Sequence, residues 1–213
     1  MKTVYFVRHG QAVNNAPPPG SICYGSEAPL TEHGIKQAEM IAERVSHVPT
    51  QVIISSPFKR TVQTTEIIGK RVKEPVEYSD LFVERQGPTR LVGQLWDDPQ
   101  VQKIQRSWER SFYTDTRIED GETFSEIRLR SRAAREFLES RSESNILVVT
   151  HGFFLRIFIA DMILGDNFSP RLLESLDRRM RTMNTGLTMV THVPSDTHAP
   201  WRLETWNDHA HLG

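Results

Sequence analysis

Apolar residues recur along this chain in two alternating rhythms. Unbroken apolar runs at residues 3–7, 52–54 and 146–149 read as strands covered on both faces. Between them the spacing turns helical. Over 32–45, Ile35, Ala38, Ile41, Ala42 and Val45 share one face, and Thr31 stands where a cap belongs. A second helix opens at Pro57, turns Phe58, Val62, Thr65 and Ile68 inward, and stops near Gly69. A third, over 123–140, buries Phe124, Ile127, Ala134, Phe137 and Leu138 and sets Arg128, Arg130, Arg132 and Arg135 on a solvated outer face. Further helices are predicted from Phe153 and over 170–181, then strands at 186–190 and 201–205 with a turn at 194–198. Repeated strand–helix units predict an α/β protein: a three-layer α/β/α sandwich around a mostly parallel sheet, as one domain over 1–213. Residues 14–29 carry Pro17-Pro18-Pro19-Gly20 and read as a long surface loop, since such a run suits neither helix nor inner strand. Residues 85–98 have no period, and no element is assigned to them.

Composition removes several classes of function. The 213 residues hold 26 Lys+Arg against 27 Asp+Glu, a formal charge of −1 that offers nucleic acid no basic field. The most apolar segment, 153–164, is interrupted by Arg156 and Asp161 and is too short to span a bilayer, so no membrane partner is expected. One cysteine, Cys23, permits no intrachain disulfide and suits a reducing compartment. Arg8 and His9 arrive before a secretory apolar segment can form, and a cytoplasmic location is expected.

Two of the predicted strands end alike. Val4-Tyr-Phe-Val-Arg-His-Gly10 and Ile146-Leu-Val-Val-Thr-His-Gly152 both finish in His-Gly. Ligands of open parallel sheets bind beyond the carboxyl ends of the strands, so His9 and His151 can meet over one pocket. Gly10 and Gly152 remove side chains where the backbone must turn or a ligand approach. The helix after His151 points free N–H groups at the same crevice, which favours an anion. Arg8 precedes His9, and Arg60 follows the strand at 52–55. Guanidinium forks match phosphate oxygens, and two histidines with two arginines at strand ends suit a phosphoryl group.

These residues belong to longer patterns. Arg8-His9-Gly10 with Asn15, and Gly25-Ser-Glu-Ala-Pro-Leu-Thr-Glu-His-Gly34 with Gln37-Ala38, resemble the opening signature of the histidine phosphatase superfamily, in its phosphoglycerate-mutase-like branch. Ser55-Ser-Pro-Phe-Lys-Arg-Thr-Val-Gln-Thr64 and Val148-Val-Thr-His-Gly152 resemble its second and third motifs, and Asn184-Thr-Gly186 a strand-entry motif. The resemblance implies a phosphohistidine mechanism with neither metal nor other cofactor. It makes His9 the nucleophile, gives Arg8, Arg60 and His151 the phosphoryl oxygens, and adds Asn15 as a neutral donor. Tyr24, Gly25 and Gly152 are its further substrate-binding positions. It places the proton donor at Glu84 in Leu81-Phe-Val-Glu84, with Glu122 in reserve. The family's Gly-x-Trp-Glu-Gly element after the acid is absent; Arg85 to Asp98 replaces it, and Gln11 stands where many members have Glu.

The expected activity is hydrolysis of a phosphomonoester on a small molecule or a phosphoprotein. A cofactor-dependent phosphoglycerate mutase and a catalytically weak phospho-ligand-binding module are the alternatives. A homodimer is admitted, although no segment demands it. Asp208-His209-Ala-His211 reads as a frayed polar end rather than a metal site. His192 reads as an edge or turn residue, and the four tryptophans are too scattered to form a stacking platform.

Overall fold

The computed structural model describes residues 1–15 and 17–213. Its strands are β1 (Lys2–Arg8), β2 (Val52–Ser55), β3 (Val76–Tyr78), β4 (Asn145–Thr150), β5 (Leu187–His192) and β6 (Trp201–Asp208). The helices are α1 (Glu32–Val45), α2 (Lys59–Val72), α3 (Pro99–Ser111), α4 (Phe124–Ser140), α5 (Gly152–Leu164) and α6 (Pro170–Asp177). One six-stranded sheet runs β3-β2-β4-β1-β5-β6. β3, β2, β4 and β1 are parallel, while β5 and β6 are antiparallel additions. The expected α/β/α sandwich on a mostly parallel sheet is the fold observed.

Strand alternation divides the core into two layers. Val4, Phe6, Val52, Ile54, Ile146 and Val148 face α4 and α5. Val7, Ile53, Leu147 and Val149 face α1, with its buried Ile41, Ala42 and Val45, and α2, with its Ile68. Alternate side chains of a strand leave on opposite faces, so a run apolar at every position must be covered twice. The caps follow the sequence: Thr31 accepts from the Gly34 N–H at 3.0 Å, and Thr123 with Glu126 forms a reciprocal capping box.

Register is what brings the two His-Gly ends together. β1 and β4 are parallel neighbours with Arg8 opposite Thr150, so His9 and His151 leave adjacent strands side by side. β2 lies on the other side of β4, with Ser55 opposite Val149, which delivers Ser56 and then Arg60 to the same end.

Several expectations are corrected by partners distant in sequence. The α4 arginines do not form a solvated row: Arg128 and Arg135 donate to Asp161 at 2.6 and 2.7 Å, and Arg132 does so at 3.3 Å. Asp161, only 1% exposed, is the polar break in the apolar helix α5. Arg130 instead grips Glu122 through two 2.9 Å bonds. Ile35 is 40% exposed, because the buried stripe of α1 begins at Gly34 and Ala38. The C-terminal residues are docked rather than frayed: Asp208 pairs with Arg44, and the His211 Nε2 shares a 3.1 Å hydrogen bond with the Thr185 Oγ1. His192 is buried in β5 and stacks on Trp201. β3 and α3 went unpredicted, although Asp98 and Pro99 carry a start signal, the Asp98 carboxylate accepting from Gln100 N–H at 2.7 Å.

Candidate active site

His9 is held in one tautomer. Its Nδ1 lies 2.7 Å from the Gly10 carbonyl, which can only accept, so Nδ1 carries the proton and Nε2 the lone pair. The Arg60 Nε donates to that Nε2 at 3.2 Å, and the Arg60 Nη1 donates to the Gly25 carbonyl at 3.2 Å. Burial, followed by the Arg60 and Arg8 charges, holds the His9 imidazole well below its usual pKa. Burial also lowers the Arg60 guanidinium to about 10.

His151 completes the pair, with its ring centroid 5.1 Å from that of His9. Its Nε2 shares a 2.8 Å hydrogen bond with the Ser56 Oγ, whereas its buried Nδ1 has no partner. Burial, then Arg60, His9 and Arg8, holds this imidazole well below its usual value too. Arg8 donates from Nη1 to the Thr182 carbonyl at 2.5 Å, and its buried Nε is likewise unpartnered. Gly152 makes that placement feasible: a Cβ there would lie 2.6 Å from the Thr182 Oγ1 and 3.0 Å from the Arg8 Nε. Thus Arg8, His9, Arg60 and His151 converge, and two buried nitrogens among them, the Arg8 Nε and the His151 Nδ1, lack a hydrogen-bond partner.

Glu84 has a task that its sequence does not announce. Its carboxylate accepts from the N–H groups of Phe153 at 3.1 Å, Phe154 at 2.9 Å and Arg85 at 3.0 Å. The Phe153 and Phe154 N–H groups in the first turn of α5, expected to face a bound anion, are therefore occupied by the protein's own acid. Glu84 and Arg60 both line one cavity of about 460 Å³, whereas Arg8, His9 and His151 are not among the residues lining it. Glu122 does not line it and is engaged by Arg130. Arg130 also donates to the carbonyls of Val83 at 2.8 Å and Leu81 at 3.2 Å, holding the backbone that carries Glu84.

Among the other expected positions, Tyr24 and Gly25 line the cavity. Asn15 does not; its Oδ1 accepts from Ala12 N–H at 3.0 Å and fixes the turn after Gly10. Residues 85–98, unassigned from sequence, form the opposite wall. Leu95 and Ile22 make an antiparallel bridge, flanked by Cys23 N–H donating to Gln94 O and Gly93 N–H to Cys23 O, both at 2.9 Å. Trp96 and Trp108, called scattered from sequence, both face the cavity. Positions missed by sequence reasoning include Thr182, and Asn184, whose Nδ2 donates to the His9 carbonyl at 3.0 Å. For Asn184 the signal was present in the Asn-Thr-Gly motif.

Two histidines and two arginines gathered at the strand ends of a three-layer α/β/α fold define a class, and a family comparison agrees with it. The model of the histidine phosphatase superfamily (branch 1) matches residues 4–209, and the chain belongs to that family. Among individual relatives, the chain is 32% identical over 219 residues to the probable phosphoglycerate mutase GpmB of Yersinia pestis and of Yersinia pseudotuberculosis, covering all of this chain and 95% of theirs. Its fold is similar to YhfR of Bacillus stearothermophilus (TM-score 0.81, 20% identity, all of both chains). It is also similar to a phosphoserine phosphatase of Entamoeba histolytica solved with phosphoserine (TM-score 0.76, 19% identity, all of both chains). Among the described residues, no helix is long and apolar enough to cross a membrane.

Proposed function

We propose that this chain is a phosphomonoesterase acting through a phosphohistidine on His9. The observation that carries the reading is the His9 geometry: Nδ1–H tied to Gly10 O, and a neutral Nε2 facing Arg60. An imidazole kept neutral by burial and neighbouring guanidinium charge is a nucleophile at neutral pH. The buried Arg8 Nε supports it further, since an unpaired buried donor is costly and a phosphoryl oxygen would satisfy it; the unpartnered His151 Nδ1 would do the same in the tautomer whose Nε2 accepts from Ser56.

In this reading the ester's phosphoryl group lies between Arg8, Arg60 and His151. Its approach draws the Arg60 N–H from the His9 Nε2 to a phosphoryl oxygen. The Nε2 lone pair forms the N–P bond as the P–O bond to the alcohol breaks, and Glu84, as general acid, gives a proton to the departing oxygen. Phosphoryl transfer needs position and charge more than covalent help, and these side chains supply both. A water then attacks phosphorus, returns a proton to Glu84 and breaks the N–P bond. Inorganic phosphate leaves and His9 is regenerated.

The test is a rapid quench with labelled ester. Alkali-stable, acid-labile label on the protein is expected, and none in His9→Ala. Full activity and label in that variant would refute the assignment. The names of the Yersinia relatives favour a second reading, mutase chemistry. Supplying 3-phosphoglycerate with a trace of 2,3-bisphosphoglycerate separates the two: isomerisation much faster than phosphate release would replace the phosphatase reading.

A further inference from the structure

We propose that the cavity lined by Arg60 and Glu84 selects small monophosphate esters of flat, uncharged, apolar alcohols, with Trp96 and Trp108 as specificity-determining residues. This rests on the phosphatase reading and adds a substrate class to it. The cavity of about 460 Å³ falls in the range that buries an extended organic ligand, well beyond what a three-carbon acid fills. Its walls are mainly apolar, with Tyr24, Phe58, Trp96, Trp108, Leu91 and Val92, and carry a few uncharged polar side chains such as Gln86 and Gln105.

Its charged groups are few and held in place. Arg60, Glu84 and Arg85 are the charged residues lining it. Arg60 serves the phosphoryl group, and Glu84 the departing oxygen. The Arg85 guanidinium lies between the rings of Trp108 and Phe112, 3.9 Å from each centroid, and donates from Nη2 to the Trp108 carbonyl at 2.6 Å. The buried Arg85 Nε has no hydrogen-bond partner, but its guanidinium is enclosed by those two rings, so a carboxylate or second phosphate at the far end would be desolvated against aromatic faces, which is unfavourable. An uncharged ring meets stacking partners instead.

The wall is also coupled to the phosphoryl site. Gly25 has φ +56, and a Cβ on it would lie 3.1 Å from the Val92 Cγ2. Its carbonyl is the acceptor for Arg60 Nη1, so one residue touches both the apolar wall and the phosphate-binding guanidinium. Apolar surface continues outward, with Ile22 39%, Val92 52% and Leu95 55% exposed around the bridge between the two loops. A ligand extending from His9 along this wall covers surface that otherwise faces water.

Primary alkyl esters hold leaving-group reactivity constant and isolate the alcohol's contribution. We compare 2-(2-naphthyl)ethyl phosphate with ethyl phosphate and 3-phosphoglycerate. The naphthyl ester is expected to exceed both in kcat/KM by about 100-fold, the effect of burying one bicyclic ring. Trp96→Ala should lower that ratio by about 10-fold, because the ring's stacking surface goes while the backbone clasp stays. Ile22→Ser, on the exposed rim, reads the same wall with about a threefold drop if Trp96→Ala does not fold. A ratio near one, or a preference for 3-phosphoglycerate abolished by Arg85→Met, would overturn the proposal and leave the phosphatase reading standing. A phosphotyrosyl peptide turned over faster than the naphthyl ester would overturn the assignment to small molecules. No phosphate release from any ester would remove the phosphatase reading itself.

Discussion

Glu84→Gln keeps the side chain's shape and removes its acid. Gln can still place one oxygen where Oε1 accepts from Phe154 N–H at 2.9 Å and Arg85 N–H at 3.0 Å. Its NH₂ group then meets the Phe153 N–H, a donor against a donor where a 3.1 Å bond stood. Losing one charge-assisted bond at the start of α5 costs about 1–2 kcal/mol. For a chain of this length that lowers Tm by about 2–8 °C, so assays at 25 °C still read folded enzyme. The catalytic effect is separate and depends on the ester. An alkyl alkoxide must be protonated as it leaves, and loss of a general acid costs about 10²–10⁴ in rate. p-Nitrophenolate leaves without that help, and its ester should lose less than about tenfold. The measurement is the ratio of kcat for ethyl phosphate to that for p-nitrophenyl phosphate, in wild type and variant. A fall of at least about tenfold in the ratio is expected. Equal losses on both esters would refute the proton-donor role and leave Glu84 as the cap of α5 alone.

Arg130→Met should produce the same ester-dependent loss more weakly, because Arg130 holds the Leu81 and Val83 carbonyls that lead to Glu84. Arg130→Lys should restore part of the ratio, whereas a uniform loss on both esters would mean that Arg130 does not position the acid. Asp161→Asn should reduce stability by about 3–5 kcal/mol in urea unfolding, since three guanidiniums lose a buried counter-charge. Asp161 lies about 15 Å along α5 from His151, so kcat/KM at 25 °C should change less than about twofold, and a larger change would mean coupling to the site. The acid limb of kcat/KM should lie below pH 6.5, because His9 and His151 both have lowered pKa values and must be neutral in the free enzyme. Folding linkage has the same sign. The unfolded chain binds these protons first, so stability is full above about pH 6.5 and is lost at up to about 1.4 kcal/mol per pH unit for each histidine as pH falls towards the folded values. An acid limb above pH 7 would contradict the first, and a pH dependence of unfolding unchanged in His9→Asn would contradict the second for His9.

Local spacing carried much of this protein. Continuous apolar runs marked β1, β2 and β4, and helical spacing with Thr31 and Thr123 marked α1 and α4, because strand burial and capping depend on residues a few positions apart. The His-Gly ends, Arg8 and Arg60 were legible for the same reason, each lying within or just beyond one short element. Only tertiary structure could pair them: the β1–β4 register, with Arg8 opposite Thr150, is a contact between segments that no local pattern links. The same limit explains the misplaced arginines. Arg128, Arg132 and Arg135 have the spacing of a solvated face, and their partner Asp161 sits a whole strand and turn further on. Glu84 stood out only through the family resemblance, and its capping of α5 required α5 to fold against the segment leading from β3. Residues 85–98 had no period to read because their order comes from backbone pairing with Ser21–Cys23 and from Arg85 held between Trp108 and Phe112. Such bonds use main-chain atoms that every residue carries and side chains far apart in sequence, so the folded neighbour, and not the local pattern, specifies them.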